Sequence, residues 1–317
     1  MFEYRKSLMV LVSLVFAFAQ TLAIAAQTEI KNSTANGIFW KPVVISKRNL
    51  LLGPGGREMY PNLNKIVFVK EVKGGFSKKF HIKDGSGHEW VAKVGKEAQS
   101  ETAAVRLIWA LGYETEINYL IPSLTIPGKG TFQNVRLEAR PDNIDRKKNW
   151  NWSKNPFTHT KEFQGLIMMM AFLNNWDLKT SNNVILHNKN NNENYYVVSD
   201  LGVSFGKLGS NPLPIFWRIG RSRNDPVNYS KSKLVKSAKN DRVKLVYRGK
   251  SSEIFIPFPA QNVRWLTDLL MKLSDKQISD AFRAANYSPE HLKILTQEVK
   301  DRIRELDLAT NEALASK

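Results

Sequence analysis

The stretch Asn174–Gly206, NNWDLKTSNNVILHNKNNNENYYVVSDLGVSFG, constrains this chain more than any other. Its centre predicts two short strands, Val184 to His187 and Tyr195 to Ser199, because β-branched and aromatic residues favour extended backbone. The Asn-rich run Asn188 to Asn194 between them favours a turn. Asp177, Lys179 and Asn182 lead into the first strand; Asp200, followed by Leu201 and Gly202, leaves the second. Pairing the strands as a hairpin sets those ends side by side. Two carboxylates and one amide then meet, a set of hard oxygen donors suited to Mg²⁺ carrying a polyphosphate. In such chemistry Asn182 and Asp200 would contact the metal, and Asp177 would orient an incoming hydroxyl and accept its proton. Lys179 would offset charge on the transferred phosphoryl group.

Upstream, Lys65 to Val72, Phe76 to Ile82 and Trp90 to Val94 predict three strands of an antiparallel meander, turning at Lys73-Gly74-Gly75 and Asp84-Gly85-Ser86-Gly87. Gly74 and Gly75 would let backbone amides approach a phosphate, although the same pair makes an ordinary hairpin turn. In the third strand, Lys93 alternates against Ala92 and Val94 and projects from the opposite face. A helix follows, with Ser100 as its expected N-cap and Ala104, Leu107, Ile108 and Leu111 as its apolar stripe. Glu101, on the flank of that stripe expected to face the sheet, would supply the carboxylate that a buried Lys93 needs. Glu97 competes for the role from a place close to the helix start. The alternative is a solvated Lys93, with Glu101 an ordinary acid of the first helical turn.

These residues carry a resemblance. DLKTSN at 177–182 resembles the D-L-K-x-x-N catalytic loop of the protein-kinase-like superfamily, and SDLG at 199–202 its D-F-G turn; the strand bearing Lys93 resembles V-A-I-K. The resemblance implies an α+β, two-lobed protein-kinase-like fold, with an antiparallel sheet plus one helix in the N-lobe and a mainly helical C-lobe. It implies Mg²⁺-dependent transfer of the ATP γ-phosphoryl group to a hydroxyl on a protein, lipid or small molecule. Lys93 would contact the nucleotide phosphates with Glu101 holding it, and adenine would receive backbone hydrogen bonds near Glu138-Ala139-Arg140-Pro141. There are departures. Asn175-Trp176-Asp177 replaces H-R-D, which removes the arginine that couples to a phosphorylated activation segment; Leu201 replaces phenylalanine, and no A-P-E is found. The chain as a whole resembles atypical, exported bacterial members.

The expected organisation is a signal peptide at 1–26, an extension at 27–62, an N-lobe at 63–140 and a C-lobe at 141–317. Arg5 and Lys6 precede an apolar run from Leu8 to Ala19, and Ala23-Ile24-Ala25 offers a cleavage site, so a periplasmic or extracellular product is expected; an uncleaved anchor is the alternative. The extension is expected to pack on the domain after it. Trp150 and Trp152 either stack on a ligand or pin a loop to the core. Helices are expected at Glu162 to Leu173, at Ala260 to Leu273, after a Ser274/Gln277 capping box, and after Ser288-Pro289.

With no cysteine, disulfides and thiolate chemistry are excluded, and the five histidines show no metal-ligand spacing. The formal net charge is +18, and residues 218–250 hold eleven Lys or Arg against two acids. Such a surplus attracts an acidic protein or an anionic lipid or glycan surface. Nucleic acid is a weaker expectation, because no recognition motif accompanies the charge. Two further functions stay open: an exported pseudokinase module that binds nucleotide or another anion without turnover, and a basic nucleic-acid binder whose affinity falls steeply with salt.

Overall fold

The computed structural model describes residues 33–34, 37–72, 74, 77–209 and 220–316. The expected signal peptide, Gly75 and the first two residues of the basic segment lie outside them. Among the described residues, no helix is long and apolar enough to cross a membrane.

Strands β1 (Ser33–Thr34) and β2 (Gly37–Ile38) pair antiparallel, and Ile38 then lies parallel against Tyr195 in the second lobe. Phe39 follows into the large core, where its ring stacks on Phe157 at 5.1 Å and meets Tyr113 edge-on at 5.6 Å. The extension therefore enters the second lobe first. Only later do Met59 and Ile66 pack on the sheet that follows.

That sheet comprises β3 (Val67–Val72), β4 (Lys78–Lys83), β5 (Glu89–Val94), β6 (Asn118–Ile126) and β7 (Gly130–Ala139), in the order β3-β4-β5-β7-β6 with every pair antiparallel. Pro122 is tolerated because β6 is an edge strand, with no neighbour on one side to need its missing N–H. Strand alternation divides the residues. Phe80, Ile82, Trp90, Ala92, Tyr119 and Leu137 build an apolar core on one face, while Lys79, Lys93, Arg136 and Glu138 occupy the other.

The β4–β5 turn is organised by Asp84, 3% exposed. Its carboxylate accepts from the amides of Asn62 (3.1 Å), Ser86 (2.9 Å) and His88 (3.0 Å) and from the Trp90 indole (3.1 Å). Burial works against the charged form, and these donors outweigh it, so Asp84 titrates below the ordinary carboxylate range. A depressed folded pKa stabilises above the unfolded value, and that contribution is lost as pH falls through the folded one. Asp84→Ala is expected to cost about 2–4 kcal/mol at neutral pH, since four donors lose their acceptor, and the difference from the parent should shrink in acid. Urea unfolding at both pH values measures this; a cost under about 1 kcal/mol at neutral pH would contradict it.

Helix α1 (Glu97–Ala110) begins a turn earlier than expected, with Lys96 at the N-cap position. Ser100 instead sits inside the helix and donates to the Gly202 carbonyl at 2.5 Å. The stripe Ala104, Leu107, Ile108 and Leu111 joins the large core shared with the second lobe, not the core of the sheet. The sheet presents charged side chains to α1, which explains the division.

In the second lobe, β8 (Ile144–Arg146), β9 (Asn183–Asn188) and β10 (Glu193–Val198) extend the sheet begun by β1 and β2, so this lobe is less purely helical than expected. Helix α2 (Lys161–Phe172) is capped by Thr160, whose side chain accepts from the Phe163 amide, and is buried on nearly every side. Trp150 and Trp152 are buried in the same core and pin the loop. After the short α3 (Pro226–Ser230), the basic segment forms a hairpin of β11 (Val235–Lys239) and β12 (Arg242–Leu245), joined by β13 (Phe258–Pro259). Helices α4 (Ala260–Leu270), α5 (Asp275–Arg283) and α6 (Pro289–Ala315) complete the lobe, and the Ser274/Gln277 capping box is present.

Candidate functional site

At the end of α2, Asn174 adopts φ 54°, a left-handed conformation that Asn tolerates well, and stops the helix. Its side-chain amide donates to the Gly206 carbonyl (2.7 Å) and to Ser232 Oγ (2.8 Å). The chain then runs through Asp177 into a 3-10 turn at Thr180–Asn182 and up β9. The β9–β10 hairpin pairs Asn183 with Val198, and the next amides, of Ser199 and Asp200, donate to the Asn182 carbonyl at 2.8 and 3.2 Å. Hairpin register is therefore what sets Asp200 beside Asn182.

Asp177 Oδ2 is 2.5 Å from Lys179 Nζ, and its Oδ1 is 3.8 Å from Lys250 Nζ. Asn182 Nδ2 donates to the Asp177 carbonyl at 2.7 Å. Across the cleft, Lys93 Nζ lies 2.9 Å from Glu101, 3.0 Å from Glu97 and 3.3 Å from Asp200. Lys93, Asp177, Lys179, Asn182 and Asp200 thus line one cleft of about 610 Å³, with Glu101 behind Lys93. Gly74 lies apart, exposed in the β3–β4 turn and absent from the cleft lining; the roof there is Ser77 and Lys79.

Burial disfavours the Lys93 ammonium, at 2% exposure, but Glu101 and Asp200 outweigh it and hold its pKa above the ordinary value. Burial also pushes Glu101 up to about 7, against the pull of Arg136 and Lys93. Asp200 is raised by burial and lowered more by Lys93 and the Gly202 amide, so it stays ionised; 36% of its side chain remains open to the cleft.

Glu97, the competitor expected to sit too near the helix start, is a full partner. It joins Lys93 to Arg223 (2.8 Å) and accepts from Ser77 Oγ (2.9 Å). Gly202 packs so closely on it that a Cβ there would come within 2.7 Å of Glu97 Cβ. The spacing of four residues from Lys93 was the available signal for Glu97. Arg223, Arg221 and Lys250 also line the cleft, and their sequence setting offered only a diffuse basic run.

Toward the crossing between lobes, the ion pairs continue from Glu101 to Arg136 (3.0 Å) and on to Glu138 (2.6 Å), which also pairs with Arg140. Arg146 pairs with Glu116, donates to Ser199 Oγ at 3.0 Å and lies 3.6 Å from Glu138. The cost of desolvating buried charges offsets much of their attraction, so these pairs are not in themselves a measure of stability. The expected adenine contacts find altered ground. The amides of Ala139 and Arg140 are bonded to the Ile117 and Glu89 carbonyls, Pro141 has none, and its carbonyl already accepts from Ile144.

The residues present fit Mg²⁺. Asn182 and Asp200 are backbone neighbours at the hairpin end and both line the cleft with oxygen-bearing side chains, and among the described residues no group of three or more His, Cys, Asp or Glu could hold an ion alone. Mg²⁺ is commonly held this way, by one or two carboxylates with substrate phosphates and water.

Fold and cleft together define a mixed α+β protein, sheets toward its N-terminus and helices toward its C-terminus, with a polar cleft between them. The chain matches no protein-family model and no curated protein. Among solved structures it is similar to the Helicobacter pylori proinflammatory kinase CtkA, at 11% identity and TM-score 0.49 over 81% of this chain and 99% of that one. It is also similar to the golgi casein kinase, at 11% identity and TM-score 0.39 over 86% and 74% respectively. Both likenesses are distant and concern the arrangement of the chain alone.

Proposed function

We propose that the cleft transfers the γ-phosphoryl group of a nucleoside triphosphate to a hydroxyl acceptor with Mg²⁺. The supporting observation is the convergence of Lys93, from the sheet, on Asp200, from the end of the hairpin, at 3.3 Å. Bound Mg²⁺ would neutralise charge on the donor phosphates. Asn182 and Asp200 would hold that ion, with the Asp200 carboxylate ionised. Lys93 contacts the donor phosphates, oriented by Glu101 and Glu97 at 2.9 and 3.0 Å. Asp177 faces the acceptor, aligns its hydroxyl and receives its proton, while Lys179 lies against the transferred group. Catalysis on this reading is positioning and charge stabilisation.

Purified full chain with Mg²⁺ and γ-labelled ATP should label an acceptor in a screen of proteins, lipids and small hydroxyl compounds. Asp177→Asn should lower the rate by about 10²–10⁴-fold while nucleotide binding persists. Undiminished labelling by that variant would reject Asp177 as the acceptor base. A second reading, binding of an anion other than a nucleotide without turnover, is favoured by the engaged amides at 139 and 140, which cannot donate to an adenine. Thermal stabilisation by inorganic pyrophosphate as large as that by ATP, with no hydrolysis or transfer, would select it.

A further inference from the structure

Two lysines project from the sheet into the cleft, and the structure partners them differently. Lys79 of β4 stands directly opposite Lys93 of β5, so strand alternation puts both on the same face of the sheet, and both line the cleft. Lys93 Nζ has three carboxylates within reach, Glu101 at 2.9 Å, Glu97 at 3.0 Å and Asp200 at 3.3 Å, one for each of its N–H groups. Lys79 is half-buried, and among the described residues nothing forms a hydrogen bond, ion pair or ring contact with its ammonium. Glu97, which lines the same cleft, is already shared by Lys93, Arg223 and Ser77.

Like charges directly opposite each other on a sheet repel, with their Cβ atoms about 5 Å apart. At Lys93 the carboxylates offset that charge; at Lys79 they do not. The sequence carries no G-x-G-x-x-G run, and Gly74 lies outside the cleft lining. The side-chain donors that the described roof offers an anion are those of Ser77 and Lys79, and Ser77 already donates to Glu97 at 2.9 Å. Lys79 is the one left over.

We infer that Lys79 binds the phosphate chain of the donor beside Lys93, and that the cleft recognises a linear polyphosphate through lysines on two adjacent strands. This rests on the reading of the cleft as the site of a phosphoryl donor. Cross-strand neighbours suit successive phosphates of one chain, each lysine meeting its own. Lys93 turns to a phosphate only by releasing a carboxylate, of which Asp200 is the most distant and 36% open to the cleft. Lys79 has nothing to release. Its contact therefore carries nearly the full weight of a charge-assisted hydrogen bond, about tenfold or more in affinity.

The test measures binding of Mg²⁺ tripolyphosphate and of a non-hydrolysable ATP analogue to the full chain by calorimetry, beside initial rates of transfer from labelled ATP. Lys79→Gln should weaken both ligands by about tenfold, and by the same factor, because the lysine meets phosphates and not the nucleoside. Lys79→Arg should restore most of the affinity. In transfer, KM should rise by a similar factor while kcat changes less, as for a contact made alike in the ground and transition states. Lys78→Gln is the control: it removes the same charge from the opposite face of β4, where Lys78 lies 5.3 Å from the Phe80 ring centroid, and should bind as the parent does. Without ligand, Lys79→Gln should melt no lower than the parent, since it leaves no partner unpaired and relieves Lys93 of a like-charged neighbour. Parental affinity for tripolyphosphate in Lys79→Gln, or an equal loss in Lys78→Gln, would overturn the proposal. So would a loss confined to the ATP analogue. Polyphosphate binding that depends on Lys79 without transfer to any acceptor keeps the proposal and rejects the transferase reading; transfer with an unchanged KM in Lys79→Gln does the reverse.

Discussion

Asp200→Asn is expected to lower Mg²⁺-dependent phosphoryl transfer by about 10³-fold or more, roughly 4 kcal/mol of transition-state stabilisation. The substitution keeps the shape and removes the charge. Asp200 is the carboxylate that the hairpin end sets beside Asn182, and the amide of Asn182 cannot by itself offset a divalent ion. Lys93 keeps Glu97 and Glu101 at 3.0 and 2.9 Å, so the buried ammonium stays paired and the fold is expected to survive. Initial rates over a Mg²⁺ titration, with a thermal melt of each protein, separate lost chemistry from lost structure. A variant that transfers phosphate at the parental rate would remove Asp200 from the metal site.

Arg302→Leu is expected to destabilise the chain by about 3–5 kcal/mol, with a fall in Tm of roughly 10 °C. Arg302 is 1% exposed. It pairs with Glu298 at 2.6 Å and donates to the Phe172 carbonyl (2.8 Å), Asn174 Oδ1 (3.2 Å) and Ser232 Oγ (2.8 Å), with its guanidinium 4.0 Å from the Tyr229 ring centroid. Leucine fills part of the volume and leaves buried acceptors without a donor, which costs more than the hydrogen bonds themselves. Asn174 is also where the chain leaves α2 toward Asp177, so the folded fraction should transfer phosphate more slowly. Chemical denaturation gives the cost directly; a change under about 1 kcal/mol would show that water or a rearranged side chain replaces the guanidinium.

The hairpin and its flanking polar residues were legible because their determinants are local. Residues 183–188 and 193–198 are strand formers around an Asn-rich turn, and pairing them leaves Asn182 and Asp200 adjacent whatever the rest of the chain does. The strand carrying Lys93, the buried character of α2 and the cap at Ser274 were legible for the same reason, since alternation, helical period and side-chain capping all act within a few residues.

Partner choice and the solvent-hidden face of α1 were decided at longer range. That Glu97 joins Glu101 in serving Lys93 depends on where α1 begins, and at that start the side chain of Asn224, 128 residues further on, donates to the Lys96 carbonyl at 2.8 Å. The apolar stripe of α1 was visible in sequence, but its partner was not: the sheet offers Lys93, Arg136 and Glu138, so the stripe turns to the second lobe. Phe39 likewise reaches the second lobe only because a parallel pairing at Tyr195 takes it there. Lys250 appeared as one charge in a basic run, and two hydrogen bonds onto the backbone of Trp176 and Leu178 make it a neighbour of Asp177. Local backbone preference and side-chain period are properties of a few consecutive residues. Which buried charges meet is settled by contacts between distant segments, and a single sequence carries no record of those distances.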